Sequence, residues 1–172
     1  SRISTSGGTR STALASVSGN LPALGRLRQS LTLNAETRRF AQQGASVGRV
    51  HGLYRSAIEL DGGTLDADLD LTLLRQDPYS PHPREGPALT ERFPLDANVN
   101  PLDGQQDQDR AQLNLRFTRA VGPGRLTTTL SVAHTEAHAT RGFLRADFAT
   151  DGVTPNADGF RQRVSTTDAY FD

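Results

Sequence analysis

The sequence predicts an all-β protein built as one antiparallel, up-and-down sheet. Three observations predict it. Apolar and polar residues alternate with a period of two over long stretches. Tight connections containing Gly or Pro alternate along the chain with looser polar ones, AQQGA and two long stretches. No stretch carries a helical period, and no solenoid-type repeat is present.

The chain is organised around Arg49–Gln76, RVHGLYRSAIELDGGTLDADLDLTLLRQ. Gly62 and Gly63 can both take φ > 0, and the pair predicts a two-residue hairpin turn. On the rising strand Val50, Tyr54, Ile58 and Leu60 share a face. On the returning strand Leu65, Ala67, Leu69, Leu71 and Leu73 share a face, and Asp66, Asp68 and Asp70 share the opposite one. Folding about Gly62-Gly63 sets Leu60 opposite Leu65, Tyr54 opposite Leu71 and Arg55 opposite Asp70. The expected hairpin thus has one apolar side and one ionic side.

Upstream, Ser1–Arg10 is small, polar and uninformative, and STALASVS alternates weakly through Ala13, Ala15 and Val17. GNLPALG, Gly19–Gly25, reads as a turn around Pro22. Arg26–Phe40 reads as a strand, with Leu27, Leu31, Leu33 and Ala35 against Arg28, Ser30, Thr32, Asn34 and Glu36. AQQGA then loops into the central hairpin.

Downstream, Asp77–Asp109 is rich in Pro, Gly, Asp and Asn and reads as a long loop. From Arg110, Ala111, Leu113, Leu115 and Phe117 alternate with polar residues. Gly122-Pro123-Gly124 turns the chain into a strand through Leu126, Leu130 and Val132, which sets Phe117 opposite Leu130 and Leu115 opposite Val132. Ala139–Gly159 reads as a second polar loop, and Phe160–Asp172 as an incomplete last strand. Seven strands are expected, with tight turns at one rim and long loops at the other.

Composition removes several function classes. The chain of 172 residues has no Cys, which excludes disulfides and Cys-based zinc sites. All its basic residues are Arg, so no Schiff-base or P-loop lysine exists. A formal net charge of zero gives no argument for nucleic acid or an anionic membrane surface. No run of about 18 apolar residues marks a transmembrane helix. The chain stops inside strand-like sequence, which points to a piece of a longer protein forming one partial β-barrel domain over residues 1–172.

Physically, strands of about 9–11 residues or more, apolar on one side and polar on the other, suit a transmembrane β-barrel, as do short turns at one rim and long loops at the other. Arg55, Asp66, Asp68, Asp70 and Arg116 are then expected to face a polar interior. The rest of the expected fold class is therefore an antiparallel up-and-down transmembrane β-barrel segment. The absence of Trp departs from the aromatic girdles of such barrels. A soluble or surface-exposed all-β binding module, with one wet face, alternates in the same way.

DRAQLNLRFTRAVGPGRLTTTLSVAHTEAHATRGF and ADGFRQRVSTTDAYFD resemble the barrel strands of bacterial TonB-dependent receptors. The likeness is one of style and extends over nearly the whole chain. That family's plug domain and TonB box are not in this sequence. The resemblance implies a wide barrel in the cell outer membrane, in contact with its lipid. It implies import of a scarce small-molecule nutrient, such as a metal chelate or an oligosaccharide. Energy would come from a TonB-type coupling protein acting through parts outside this chain. Another large barrel, such as a porin or an assembly protein, is the neighbouring possibility.

Two clusters have metal-like spacing. His134, Glu136 and His138 share a strand face, but about 13 Å separates the outer two, too far for one ion to gather all three. Asp96, Asn98, Asn100 and Asp107 echo a calcium loop, with Pro101 where the motif needs Gly. No metal site and no cofactor is expected. No nucleophile–base pairing is legible, so no catalysis is expected either.

Overall fold

The computed structural model describes residues 1–9, 11–101, 103–144 and 157–172. Eight long strands form one antiparallel sheet in the order β1-β2-β3-β4-β5-β8-β9-β10, and each strand neighbours the next long strand in sequence. The strands are β1 (Arg2–Gly8), β2 (Thr12–Leu24), β3 (Leu27–Arg39), β4 (Ser46–Leu60), β5 (Gly63–Asp77), β8 (Gln105–Val121), β9 (Gly124–Leu144) and β10 (Ala157–Phe171). Within the β5–β8 connection, β6 (Arg84–Glu85) and β7 (Ala88–Leu89) make a small ribbon. The sheet is not closed, since β1 and β10 each pair on one side only among the described residues. No helix is long and apolar enough to cross a membrane.

Neither face of the sheet is packed against another layer. The accessible surface is 11857 Å², against about 8,200 Å² for a folded monomer of this mass by the usual scaling. Ala45 and Pro78 are the buried apolar residues among those described, and both lie in loops. Val50, Leu71 and Leu73 on the apolar face are all nearly half exposed. What holds the sheet together is its backbone ladder, unbroken from β2 to β10 apart from a bulge between Leu21 and Leu24.

The two faces segregate as the alternation requires. Leu65, Ala67, Leu69, Leu71 and Leu73 of β5 sit beside Ile58, Ser56, Tyr54, Gly52 and Val50 of β4 on one side. On the other side they meet Phe117, Leu115, Leu113, Ala111 and Asp109 of β8. The opposite face carries Asp66, Asp68 and Asp70 beside Ala57, Arg55 and Leu53.

Several details correct the sequence reading. The central turn is Asp61-Gly62, closed by Leu60↔Gly63. Arg55 therefore lies opposite Asp68 rather than Asp70, and Tyr54 opposite Leu69 rather than Leu71. Likewise Val121↔Gly124 closes a Gly122-Pro123 turn, which places Leu115 opposite Leu130 and Phe117 opposite Thr128. Both shifts are of two residues. A shift of one would have moved every leucine to the ionic face, whereas a shift of two keeps both faces intact, so alternation cannot distinguish these registers. Gly122 has φ 58 and is followed by Pro, and Gly25 has φ 61 in the Gly25-Arg26 turn. Glycine at the first central position suits a type II′ turn, whose twist matches the flanking strands.

Gly62 and Gly63 adopt no left-handed φ. Gly63 is needed for a different reason: a Cβ there would collide with the backbone carbonyl oxygen of Thr118 on β8.

Gly19–Leu24 belongs to β2, with Pro22 accommodated at the bulge. Ser1–Arg10 contains β1, which raises the strand number from seven to eight. The expected Ala139–Gly159 loop is narrower, since β9 continues to Leu144 and β10 begins at Ala157. Residues 145–156 of that loop lie outside the described residues. The alternation of connections holds: Gly25-Arg26, Asp61-Gly62 and Gly122-Pro123 share one rim, and the 40–45 and 78–104 connections share the other.

Gly63→Ala should destabilise the refolded protein by about 1–3 kcal/mol, because rigid backbone must move to admit the methyl. Gly62→Ala, whose Cβ meets nothing within 4 Å, should stay within about 0.5 kcal/mol of the parent. Urea unfolding midpoints of the two variants give the comparison.

Candidate functional site

The polar face carries a hydrogen-bonded ladder running across the strands. Ser16 Oγ donates to Asn34 Oδ1 at 2.7 Å. Asn34 Nδ2 lies 3.2 Å from His51 Nδ1, and His51 Nε2 lies 3.1 Å from Asp70 Oδ2. The ladder thus crosses β2, β3, β4 and β5. It is made possible by register: Ser16 is paired with Asn34, and Asn34 with His51. Beyond it, Gln112 Nε2 donates to Asn114 Oδ1 at 3.1 Å, and Ser131 Oγ donates to the same oxygen at 2.7 Å, joining β8 to β9. Ser16, Asn34 and His51, with Ser4, Glu36 and Arg49, line a hollow of about 310 Å³.

All the residues expected to face a polar interior fall on this one face. Asp68 is 3.8 Å from Arg55 Nε. Asp70 is held by His51, and Asp66 stands opposite Arg116 in the ladder. Arg28 does not reach the aspartates, because it pairs with Glu59. The exposed Arg55–Asp68 pair contributes at most about 1 kcal/mol, so these charges do more to set polarity than to hold the sheet. Sequence reasoning missed Ser16, Asn34, His51, Gln112 and Ser131, whose grouping depends on registers that alternation alone does not fix.

Chemically, the ladder offers alternating donors and acceptors to water or to a polar solute. It is not a nucleophile–base relay. Asn34 stands between Ser16 and His51, and an amide side chain does not pass a proton between them.

The second structured region is the rim carrying the long connections. The 78–104 loop has an interior of its own. Pro78 is fully buried, and Ser80 and Thr90 are each 3% exposed. The Pro78 carbonyl accepts from Asn98 Nδ2 at 3.0 Å and Asn100 Nδ2 at 2.9 Å. Ser80 Oγ accepts from Val99 N at 2.8 Å. Asn100 Oδ1 accepts from Gly142 N at 3.0 Å, which ties the loop to β9. Gly142 has to be glycine, since a Cβ would lie 2.8 Å from Pro101 Cδ. Gln43 N donates to Asp96 O at 2.8 Å, and the Phe40 and Tyr79 rings pack at 5.6 Å, joining the 40–45 loop to the same body. A rim hollow of about 330 Å³ opens among Gln43, Asp77, Asn98 and Asn100. The Asx pattern of Asp96, Asn98 and Asn100 therefore builds loop structure.

The strand cluster with metal-like spacing is otherwise engaged. Glu136 bonds to Arg163 and lies 3.2 Å from His138 Nε2, while His134 Nδ1 meets Thr167 Oγ1 at 2.9 Å. Among the described residues no group of three or more His, Asp or Glu side chains could hold a metal ion.

Asn100→Ala removes three hydrogen bonds that tie the loop to itself and to β9. We expect a loss of about 1–3 kcal/mol in local stability. It should appear as faster amide exchange and new protease cleavage within residues 78–104, with the sheet amides unchanged.

No family model, curated protein or solved structure matches the chain.

Proposed function

We propose that this chain is a segment of an outer-membrane β-barrel, the barrel part of a TonB-dependent-receptor-like importer of scarce nutrients. One observation carries the proposal. The sheet has no packed core, yet one face presents uncovered leucines while the other carries polar side chains hydrogen-bonded to one another from β2 to β5 and from β8 to β9. In water such an apolar face would be costly, at about 25 cal/mol per Å². Against lipid it is the surface required, with the polar face lining the interior. The length of the strands, the tight rim and the structured loop rim support the same reading. The importer assignment rests on the sequence resemblance. It brings with it an outer-membrane location, a small-molecule substrate and a TonB-type partner that engages parts outside this chain.

A soluble or surface-exposed all-β binding module is the second reading, and the open sheet favours it. There, another layer of protein would cover the leucines.

Leu69 and Asp68 are neighbours pointing to opposite faces, and the chain lacks Cys. In the full-length protein, Leu69→Cys and Asp68→Cys should be labelled in turn with a fluorophore. After reconstitution into phosphatidylcholine vesicles with brominated acyl chains, position 69 should be quenched well above position 68. Equal quenching at the two positions sinks the membrane reading.

A further inference from the structure

The hollow on the polar face between β1 and β4 has a hydrogen-bonded floor and two unpartnered charges in its wall. Its floor belongs to the Ser16–Asn34–His51–Asp70 ladder, whose bonds run in one direction. Ser16 Oγ donates to Asn34 Oδ1, and Asn34 Nδ2 donates to His51 Nδ1. The His51 ring proton therefore sits on Nε2, which faces Asp70. Both ring nitrogens are thus engaged. The next row toward the loop rim reads Leu14, Glu36 and Arg49 across β2, β3 and β4. Glu36 and Arg49 are direct cross-strand partners, yet no ion pair or hydrogen bond joins their side chains. Neither side chain makes one elsewhere among the described residues.

Several opposed charges elsewhere on the sheet are bridged, as in Arg28–Glu59, Arg55–Asp68 and Arg75–Asp109. Asp66 and Arg116 also stand opposed without a bridge, but Asp66 shares its hollow with Arg28 and Arg55, where a solute cation would meet two guanidinium groups. Glu36 and Arg49 instead line one hollow together, with Leu14, 43% exposed, beside Glu36. Its volume of about 310 Å³ is at the small end of ligand pockets, which run from about 300 to 1,000 Å³. A lone anion on Arg49 is repelled by Glu36, and a lone cation on Glu36 is repelled by Arg49. A solute carrying both charges satisfies both. An α-amino acid holds its ammonium and carboxylate on one carbon, which suits side chains rooted about 5 Å apart on facing strands.

We propose that this hollow binds a small aliphatic zwitterion of the α-amino-acid class. The carboxylate accepts from the Arg49 guanidinium, whose fork matches its two oxygens. The ammonium donates to Glu36 and to Ser16 Oγ, whose lone pairs the direction of the ladder leaves free. The hydrocarbon lies against Leu14 and leaves water there. The proposal rests on the reading of this face as the one that meets solute, and it gives that solute a chemical class.

The test is calorimetric titration of the full-length protein in detergent with three probes. They are leucine, isopentylamine, which lacks its carboxylate, and isocaproate, which lacks its ammonium. Leucine should bind saturably and at least about tenfold more tightly than either analogue, the loss expected for one hydrogen-bonded charge. Glycine, with no hydrocarbon to set on Leu14, should bind more weakly than leucine. Glu36→Gln should abolish the preference for leucine over isocaproate, and Arg49→Gln the preference over isopentylamine. These opposite changes in selectivity place the binding at this hollow and are not produced by a general loss of structure. The probe series on the unaltered protein decides the matter even where a variant fails to fold. No saturable leucine binding, equal affinity for the three probes, or leucine binding unchanged in both variants overturns the proposal. The comparison of positions 69 and 68 in vesicles is independent of these titrations. The hollow can therefore fail while the barrel reading stands, and equal quenching at the two positions removes the barrel reading whatever the hollow binds.

Discussion

The structure depends on a period of two that holds across the sheet in the absence of a core. In most small domains burial of apolar side chains drives folding and the backbone ladder follows. Here the ladder joins eight strands with almost nothing buried between layers. Each strand must therefore keep its own apolar and polar residues on the correct sides. The register shifts seen at two hairpins are even-numbered because an odd shift would mix the faces. Glycines are placed where the ladder would otherwise clash, as at Gly63 beneath the Thr118 carbonyl.

The two rims divide the remaining work. Tight turns keep hairpins in register at one end. The other end holds the buried side chains that the sheet lacks, including Pro78, Ser80 and Thr90 within the 78–104 loop. Hollows on the polar face and at the rim both include amide and carboxylate side chains in their lining.

Much of this was legible in the sequence because alternation is a direct physical consequence of the pleat. The faces of β3, β4, β5, β8 and β9 could be read, as could the placement of Asp66, Asp68 and Asp70 beside Arg55. Exact partners could not. The Gly62-Gly63 pair suggested one turn, while contact with β8 from outside the hairpin dictated another. β1 was invisible because Ser, Thr and Gly carry little hydrophobic contrast. Gly19–Leu24 looked like a turn because Pro22 breaks a ladder bond, which a bulge absorbs. The Ser16–Asn34–His51–Asp70 ladder was hidden for a related reason, since it requires three registers at once. The order within the 78–104 loop comes from Asn side chains bonding to backbone over about twenty residues of sequence, which no local pattern encodes.

The loop's internal bonding also divides it into unequal parts. Pro78, Asn98 and Asn100 form a keyed stem whose geometry is shared with Gly142 on the neighbouring strand. The ribbon around Gly86, at φ 63, has exposed strands and takes no part in those bonds. Sequence can therefore drift, lengthen or be replaced at the ribbon without disturbing the stem, while a change in the stem moves the ribbon as a body. The ribbon's conformation is thus set by residues outside it, and is lost on unfolding even though its own residues are contiguous. A grafted peptide placed there would be displayed at a fixed angle to the sheet.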